Sequence, residues 1–239
     1  RALVRDKFGI DDGWPVTTEP FMQWVIEDHF PLGRPAWESV GAQIVESVEP
    51  YEMMKIRLLN GSHQVMCYIG LLLGYRHAPQ AMADESIRSL IARFMDTEVT
   101  PLLPAVPGID LDDYKRTLRE RFANPAINDQ LERIGTDGSA RVTEFVVPTI
   151  ARQAQRGGPM TVGAFTVAAW IHFLAGRDDN GDALRVVDPR ADQLRPLAQR
   201  GAASVLAVHE LFGDLGRDAR FVGEVEKSLQ TFRARGARA

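Results

Sequence analysis

Pro50-Tyr51-Glu52-Met53-Met54-Lys55-Ile56-Arg57-Leu58-Leu59-Asn60-Gly61-Ser62-His63 is the stretch on which the reading of this chain turns. Pro50 suits a first helical turn, where its missing N–H costs nothing. Glu49 and Glu52 place negative charge at the same helix end. The apolar run Val65-Met66-Cys67-Tyr68-Ile69 follows, so a helix is predicted from about 50 to 75, locally weakened at Gly61. At about 100° per residue, Asn60 falls about 140° from Lys55 and His63 about 80°, so all three can share one half of the helix surface. The flanking Met53, Met54, Leu58, Leu59, Val65 and Met66 predict substantial burial, and polar groups on a buried face need partners.

Such a trio has a defined chemistry. A lysine desolvated by burial has a lowered pKa and can accept a proton near neutral pH. An asparagine amide can stabilise an oxygen that gains negative charge, and a neutral imidazole can hold a hydroxyl or carbonyl oxygen. Together they could oxidise an alcohol without zinc. The same spacing also fits an ordinary amphipathic helix, with Lys55 solvated and with Asn60 and His63 satisfying backbone groups. Spacing alone favours that plainer reading.

Outward from this stretch the chain changes character at about residue 49. Before it, Phe21–Glu27 and Gln43–Val48 are short strand candidates separated by Pro31, Gly33 and Pro35. Two strands are too few for a stable sheet, so residues 1–48 are expected to be the edge of a neighbouring domain and residues 49–239 a mainly α domain. Asp84 is expected to cap a helix reaching about 98, and Asp110 one carrying Leu111, Tyr114, Leu118 and Phe122 on one face. Another helix should end near 134, before the turn signal Gly135-Thr136-Asp137-Gly138-Ser139. Further helices are predicted at 148–156, 161–176, 189–212 and 218–235. No internal repeat is visible.

The 239 residues carry 28 Lys and Arg against 32 Asp and Glu, a net charge of −4 that gives no pull toward nucleic acid or an anionic membrane. Neither long apolar stretch, near 65–75 and 164–176, approaches the roughly 20 residues of a membrane span. The lone Cys67 reads as a buried structural thiol, and a reducing cytoplasm fits. Arg233, Arg235 and Arg238 read as a frayed, solvated tail. The chain begins at Arg1 without a targeting pattern, as the interior of a longer chain would.

Metal and nucleotide motifs are missing from the sequence. None of His29, His63, His77, His172 and His209 falls in a zinc pattern. Arg177–Asp182 has a faint calcium-loop look but lacks the required carboxylates, and reads as a turn. No Gly-x-Gly-x-x-Gly follows a strand and there is no P-loop.

The wider sequence resembles the mannitol dehydrogenase family, the polyol-specific long-chain dehydrogenases and uronate reductases. The resemblance is carried by Thr18-Glu19-Pro20-Phe21-Met22-Gln23-Trp24-Val25-Ile26-Glu27-Asp28 and by the stretch quoted first. Pro104 through Asp110, Arg121-Phe122-Ala123-Asn124-Pro125 and Asp137-Gly138-Ser139 also match. It covers nearly the whole chain and fades after about 215. It implies a fold in which a Rossmann-type domain precedes a mainly helical C-terminal one. This chain is similar to the latter, preceded by the last segment of the former.

The resemblance also implies roles. Lys55 resembles a general acid/base, Asn60 one of two asparagines that stabilise a developing alkoxide, and His63 the group that orients the reacting oxygen. Arg133 matches a position that binds sugar hydroxyls. Arg141 stands where relatives often carry lysine. Glu52, one helical turn before Lys55, either relays protons between Lys55 and water or compensates helix charge. The implied reaction interconverts a mannitol-like polyol and a fructose-like ketose with NAD or NADP and no metal. The partners implied are the small-molecule substrate and the chain's own N-terminal domain. Catalysis by this chain alone is expected to be absent or very weak, because nothing in it positions a nicotinamide. A fructuronate-type uronate reductase is one alternative, and it would need an extra cation such as Arg133 or Arg141. A helical binding module without catalysis is the other, and it predicts an exposed Lys55.

Overall fold

Both short strands expected before residue 49 form, each over three residues. In a computed structural model describing residues 1–16 and 18–238, β1 (Val25–Glu27) pairs in parallel with β2 (Gln43–Val45), Ile26 opposite Ile44. Parallel neighbours require a crossover, which residues 28–42 supply through a 3-10 turn at Trp37–Val40. The Trp37 ring meets those of Trp24 and Phe30 at 5.7 and 5.6 Å. Arg34 ties the crossover to Asp28 and Glu38 at 3.0 and 2.6 Å. A short helix not foreseen from sequence, α1 (Ala2–Phe8), precedes this sheet. The chain divides into two compact units, Arg1–Ser47 with Pro125–Ile127, and Val48–Asn124 with Asn128–Ala239.

The second unit is helical. α2 (Glu49–Met54), a π-helical turn π1 (Lys55–Asn60) and α3 (Gly61–Leu72) follow one another without a break. Every residue of α3 except His63 is buried. α10 (Thr161–Phe173) is apolar nearly all round, the pattern of a helix surrounded by protein. It packs against α3 and against α14 (Ala219–Arg235), whose Phe221, Val225, Leu229 and Phe232 face inward. The Cys67 thiol lies within this core, and burial pushes its pKa up.

The predicted caps hold. Asp84 accepts from Ser86 N at 2.9 Å and starts α5 (Glu85–Arg93). Asp110 accepts from the amides of Asp112 and Asp113 and starts α6 (Leu111–Phe122). Lengths differ from expectation. α4 (Ala78–Ala83) was not foreseen, and α5 gives way to a second π-turn, π2 (Phe94–Val99). Then come α7 (Leu131–Ile134), α8 (Gly138–Phe145) and α9 (Val147–Arg156). The single helix expected over 189–212 is three, α11 (Ala191–Arg200), α12 (Ala202–Leu206) and α13 (His209–Phe212), with a break at Gly201.

The basic tail is not frayed throughout. Arg238 bonds Asp84 at 2.6 Å and the Tyr75 hydroxyl at 3.2 Å, because the largely covered Asp84 carboxylate draws a cation. Residues 177–183 are the turn expected. Its Asp178 carboxylate accepts from the amides of Asn180 and Asp182 and pairs with Arg76.

α10 has no side-chain cap of its own. Glu98, 1% exposed on π2, fills that role from a distance, accepting from Val162 N at 2.6 Å and Gly163 N at 2.9 Å. Burial pushes its pKa up to about 7 against the pull of those two donors.

Candidate active site

The widened turn π1 is the feature from which the site is built. Gly61 N–H donates to Ile56 O, five residues back rather than four. An i→i+5 bond makes the turn wider than an α turn, so the angle between Lys55 and Asn60, five residues apart, is narrower than the 140° expected from α geometry. Single π-turns inside α-helices recur at functional sites.

Packing explains why the turn widens here. A Cβ on Gly61 would lie 3.0 Å from the Phe94 ring and 3.2 Å from Phe145 O. Only glycine admits the helix this close, and Phe94 is the first residue of π2, so the two widened turns meet at Gly61. The carbonyls that π2 loosens find side-chain donors. Thr100 Oγ1 donates to Met95 O and Gln153 Nε2 to Glu98 O, both at 2.7 Å.

Lys55 departs from expectation. Its side chain is exposed and makes no hydrogen bond or ion pair among the described residues. One face of π1 turns away from the core that Leu58 and Met54 enter. Glu52 is likewise exposed. Asn60 is half-buried, and its amide makes no hydrogen bond among the described residues.

His63 is packed under an aromatic ring. Its ring lies against Phe122, centroids 4.5 Å apart. Burial pushes its pKa down to about 4, with Asp129 opposing and Arg133, Arg121 and Arg141 reinforcing the shift. The imidazole is neutral at pH 7, leaving one ring nitrogen to donate and one to accept.

The two predicted arginines thus stand in the electrostatic surroundings of His63. Arg133, exposed on α7, makes a two-pronged ion pair with Asp129, Nε donating at 2.9 Å and Nη2 also bonded. Arg141, half-buried on α8, donates to Ile134 O at 3.1 Å. Its helix is aimed by Asp137-Gly138-Ser139. Ser139 N and Oγ both donate to Asp188, at 2.6 and 2.8 Å. A Cβ at Gly138 would strike Trp170 Nε1 at 2.5 Å and Tyr68 OH at 2.6 Å.

Arg121 and Asp129 were not singled out from sequence. The available signal was Phe122: it ends the apolar face of α6, so its neighbour Arg121 had to emerge where that helix meets His63. Asp129 was findable as the i−4 acid of Arg133.

A multihelical domain built round two buried helices, with a lysine, an amide and an imidazole on one of them, is the class this fold and site define. The family model of the mannitol dehydrogenase C-terminal domain matches residues 47–233. Mannitol 2-dehydrogenase of Phaeosphaeria nodorum is 44% identical over all of this chain and 43% of its own length. That of Aspergillus fumigatus is 44% identical over 96% of this chain and 47% of its own. The structure of Pseudomonas fluorescens mannitol 2-dehydrogenase in ternary complex with NAD and D-mannitol matches with a TM-score of 0.90 at 46% identity, covering all of this chain and 49% of that one. A substrate-free D-sorbitol dehydrogenase gives the same TM-score at 30% identity, over 99% of this chain and 49% of its own. The chain belongs to the mannitol dehydrogenase family, and it spans about half the length of these relatives.

Proposed function

We propose that this chain is the substrate side of an NAD- or NADP-dependent oxidoreductase that interconverts a mannitol-like polyol and a fructose-like ketose. The observation that carries the reading is the widened turn, which narrows the angle between Lys55 and Asn60 just before a neutral, ring-packed His63. In the proposal Lys55 takes the proton of the reacting hydroxyl, and the Asn60 amide donates to the oxygen as it gains charge. His63 fixes that oxygen's position, and Arg141 and the Arg133–Asp129 pair hold the remaining hydroxyls. The nicotinamide, when bound, supplies the hydride acceptor. Residues 1–48 fit the end of a Rossmann-type domain whose remainder would hold it, and the residues described carry no dinucleotide motif of their own. Because Lys55 is exposed here, substrate and the rest of a longer protein would have to close over it. Glu52 is proposed to exchange protons between Lys55 and water, in a cytoplasmic enzyme that needs no metal.

Turnover by the full-length protein tests this. Lys55→Ala should abolish polyol oxidation and spare NAD binding, and an active Lys55→Ala enzyme sinks the assignment. Comparing mannitol, arabinitol and fructuronate separates polyol dehydrogenase from uronate reductase. A carboxylate would have to rely on Arg141, because Asp129 already neutralises Arg133. The exposure of Lys55 favours one other reading, a helical module without catalysis, which predicts that Lys55→Ala changes nothing.

A further inference from the structure

On the helical unit, α2 and the end of α9 wall a cleft of about 570 Å³, closed on the far side by the loop Pro101–Pro104. That volume falls in the range of small-molecule sites. Pro50, Met53, Leu102 and Leu103 give it an apolar lining, and Arg152 and Arg156 face it from α9. It continues into a narrow neck lined by Met53, Leu102, Leu103, Arg57 and Arg152.

Two guanidiniums, from Arg57 and Arg152, line the neck. Arg57 is half-buried and its guanidinium donates to the backbone, Nη1 to Glu144 O at 3.0 Å. Burial first, and then the like charge of Arg152, lowers its pKa, with the Glu144 carboxylate opposing. The Arg152 guanidinium is exposed and makes no hydrogen bond or ion pair among the described residues. Arg156 is held by Pro101 O at 3.0 Å, which fixes the proline loop against α9. Glu49 lines the cleft with Arg152 and Arg156 but not the neck, where Arg57 and Arg152 meet. Two guanidiniums with donors to spare, beside an apolar wall, match a bidentate oxyanion on a carbon body.

We propose that this cleft binds a small phosphate monoester, its phosphoryl oxygens taken by Arg152 and Arg57 and its carbon body laid on Met53, Leu102 and Leu103. The site is separate from the proposed polyol site and does not rest on that assignment. Arg57 belongs to π1, so the ligand would be sensed by the same widened turn that carries Lys55 and Asn60.

Isothermal titration of the full-length protein with glycerol 3-phosphate, and separately with inorganic phosphate, tests the proposal. The ester should bind saturably, tighter than inorganic phosphate, and weaken as salt rises. Arg152→Ala should weaken it about tenfold or more, the loss expected for a charge-assisted contact. Arg195→Ala, on α11 away from the cleft, should leave it unchanged. Arg152 is exposed and unbonded, so its variant should fold, which circular dichroism checks. No saturable binding up to about 10 mM, equal binding of the two probes, or equal loss in both variants overturns the proposal.

Discussion

The imidazole of His63 lies against the ring of Phe122, centroids 4.5 Å apart and planes inclined by 40°. This contact couples the site helix to the last residue of α6 and covers a histidine that would otherwise titrate near 6.5. Phe122→Ala should therefore raise the pKa of His63 from about 4 toward 6.5, read by NMR titration of the ring. Removing a buried Phe should also cost about 3 kcal/mol or more of stability. An unmoved His63 pKa would show that Phe122 is not what desolvates it.

Two desolvated groups should make stability depend on pH with opposite signs. His63 has a folded pKa of about 4 against 6.5, so its contribution is complete above 6.5 and is lost as pH falls through 4. Glu98 has a folded pKa of about 7 against 4.5, so its contribution is complete below 4.5 and is lost as pH rises through 7. Each window corresponds to about 3 kcal/mol at most, and between 4.5 and 6.5 the two oppose each other. Relative to the unsubstituted chain, Glu98→Gln should add a rise in stability with pH and His63→Gln a fall. Urea midpoints from pH 4 to 8 measure both, and parallel curves for all three proteins would refute the linkage.

Gly61→Ala sets helix propensity against packing. Alanine should gain about 1 kcal/mol in an unconstrained helix. Here its methyl meets the Phe94 ring at 3.0 Å and Phe145 O at 3.2 Å, and the carbonyl cannot swing aside as a side chain would. We expect a net loss of about 1–3 kcal/mol. In full-length enzyme we expect a fall in kcat larger than the change in KM, because Asn60 and His63 flank the disturbed turn. A stabilised variant with unchanged kcat would mean that π1 does not depend on this contact.

Ser62→Ala should be neutral or stabilising by up to about 1 kcal/mol. The Ser62 Oγ is fully buried and has no hydrogen-bond partner among the described residues, as is also true of Gln64 Oε1. Deleting an unsatisfied buried hydroxyl removes a desolvation cost and leaves no partner stranded. A loss of more than about 1 kcal/mol by thermal melt would reveal a partner that the hydroxyl does have.

Elements set by near neighbours were legible in the sequence. The caps at Asp84 and Asp110 depend on an amide two or three residues on, and the helix starts at Pro50 and after Asp218 follow the same local logic. Elements set by distant contact were not legible. Helix α5 was read through to 98 because its apolar period continues, but the chain widens at Phe94 where Thr100 and Gln153 capture its carbonyls.

By itself the sequence determined that a helix runs through Lys55, Asn60 and His63, that its flank is buried, and that Asp137-Gly138-Ser139 interrupts the chain before Arg141. The tertiary structure alone decided that the helix widens at 55–60, that Lys55 faces outward, and that Phe122 packs on the imidazole while the charges of Asp129, Arg133, Arg121 and Arg141 act on it. The reason is one of range. Caps and periodicity are fixed by hydrogen bonds and apolar spacing within one or two turns, whereas the turn width at Gly61 is set by Phe94 and Phe145, more than thirty and eighty residues away.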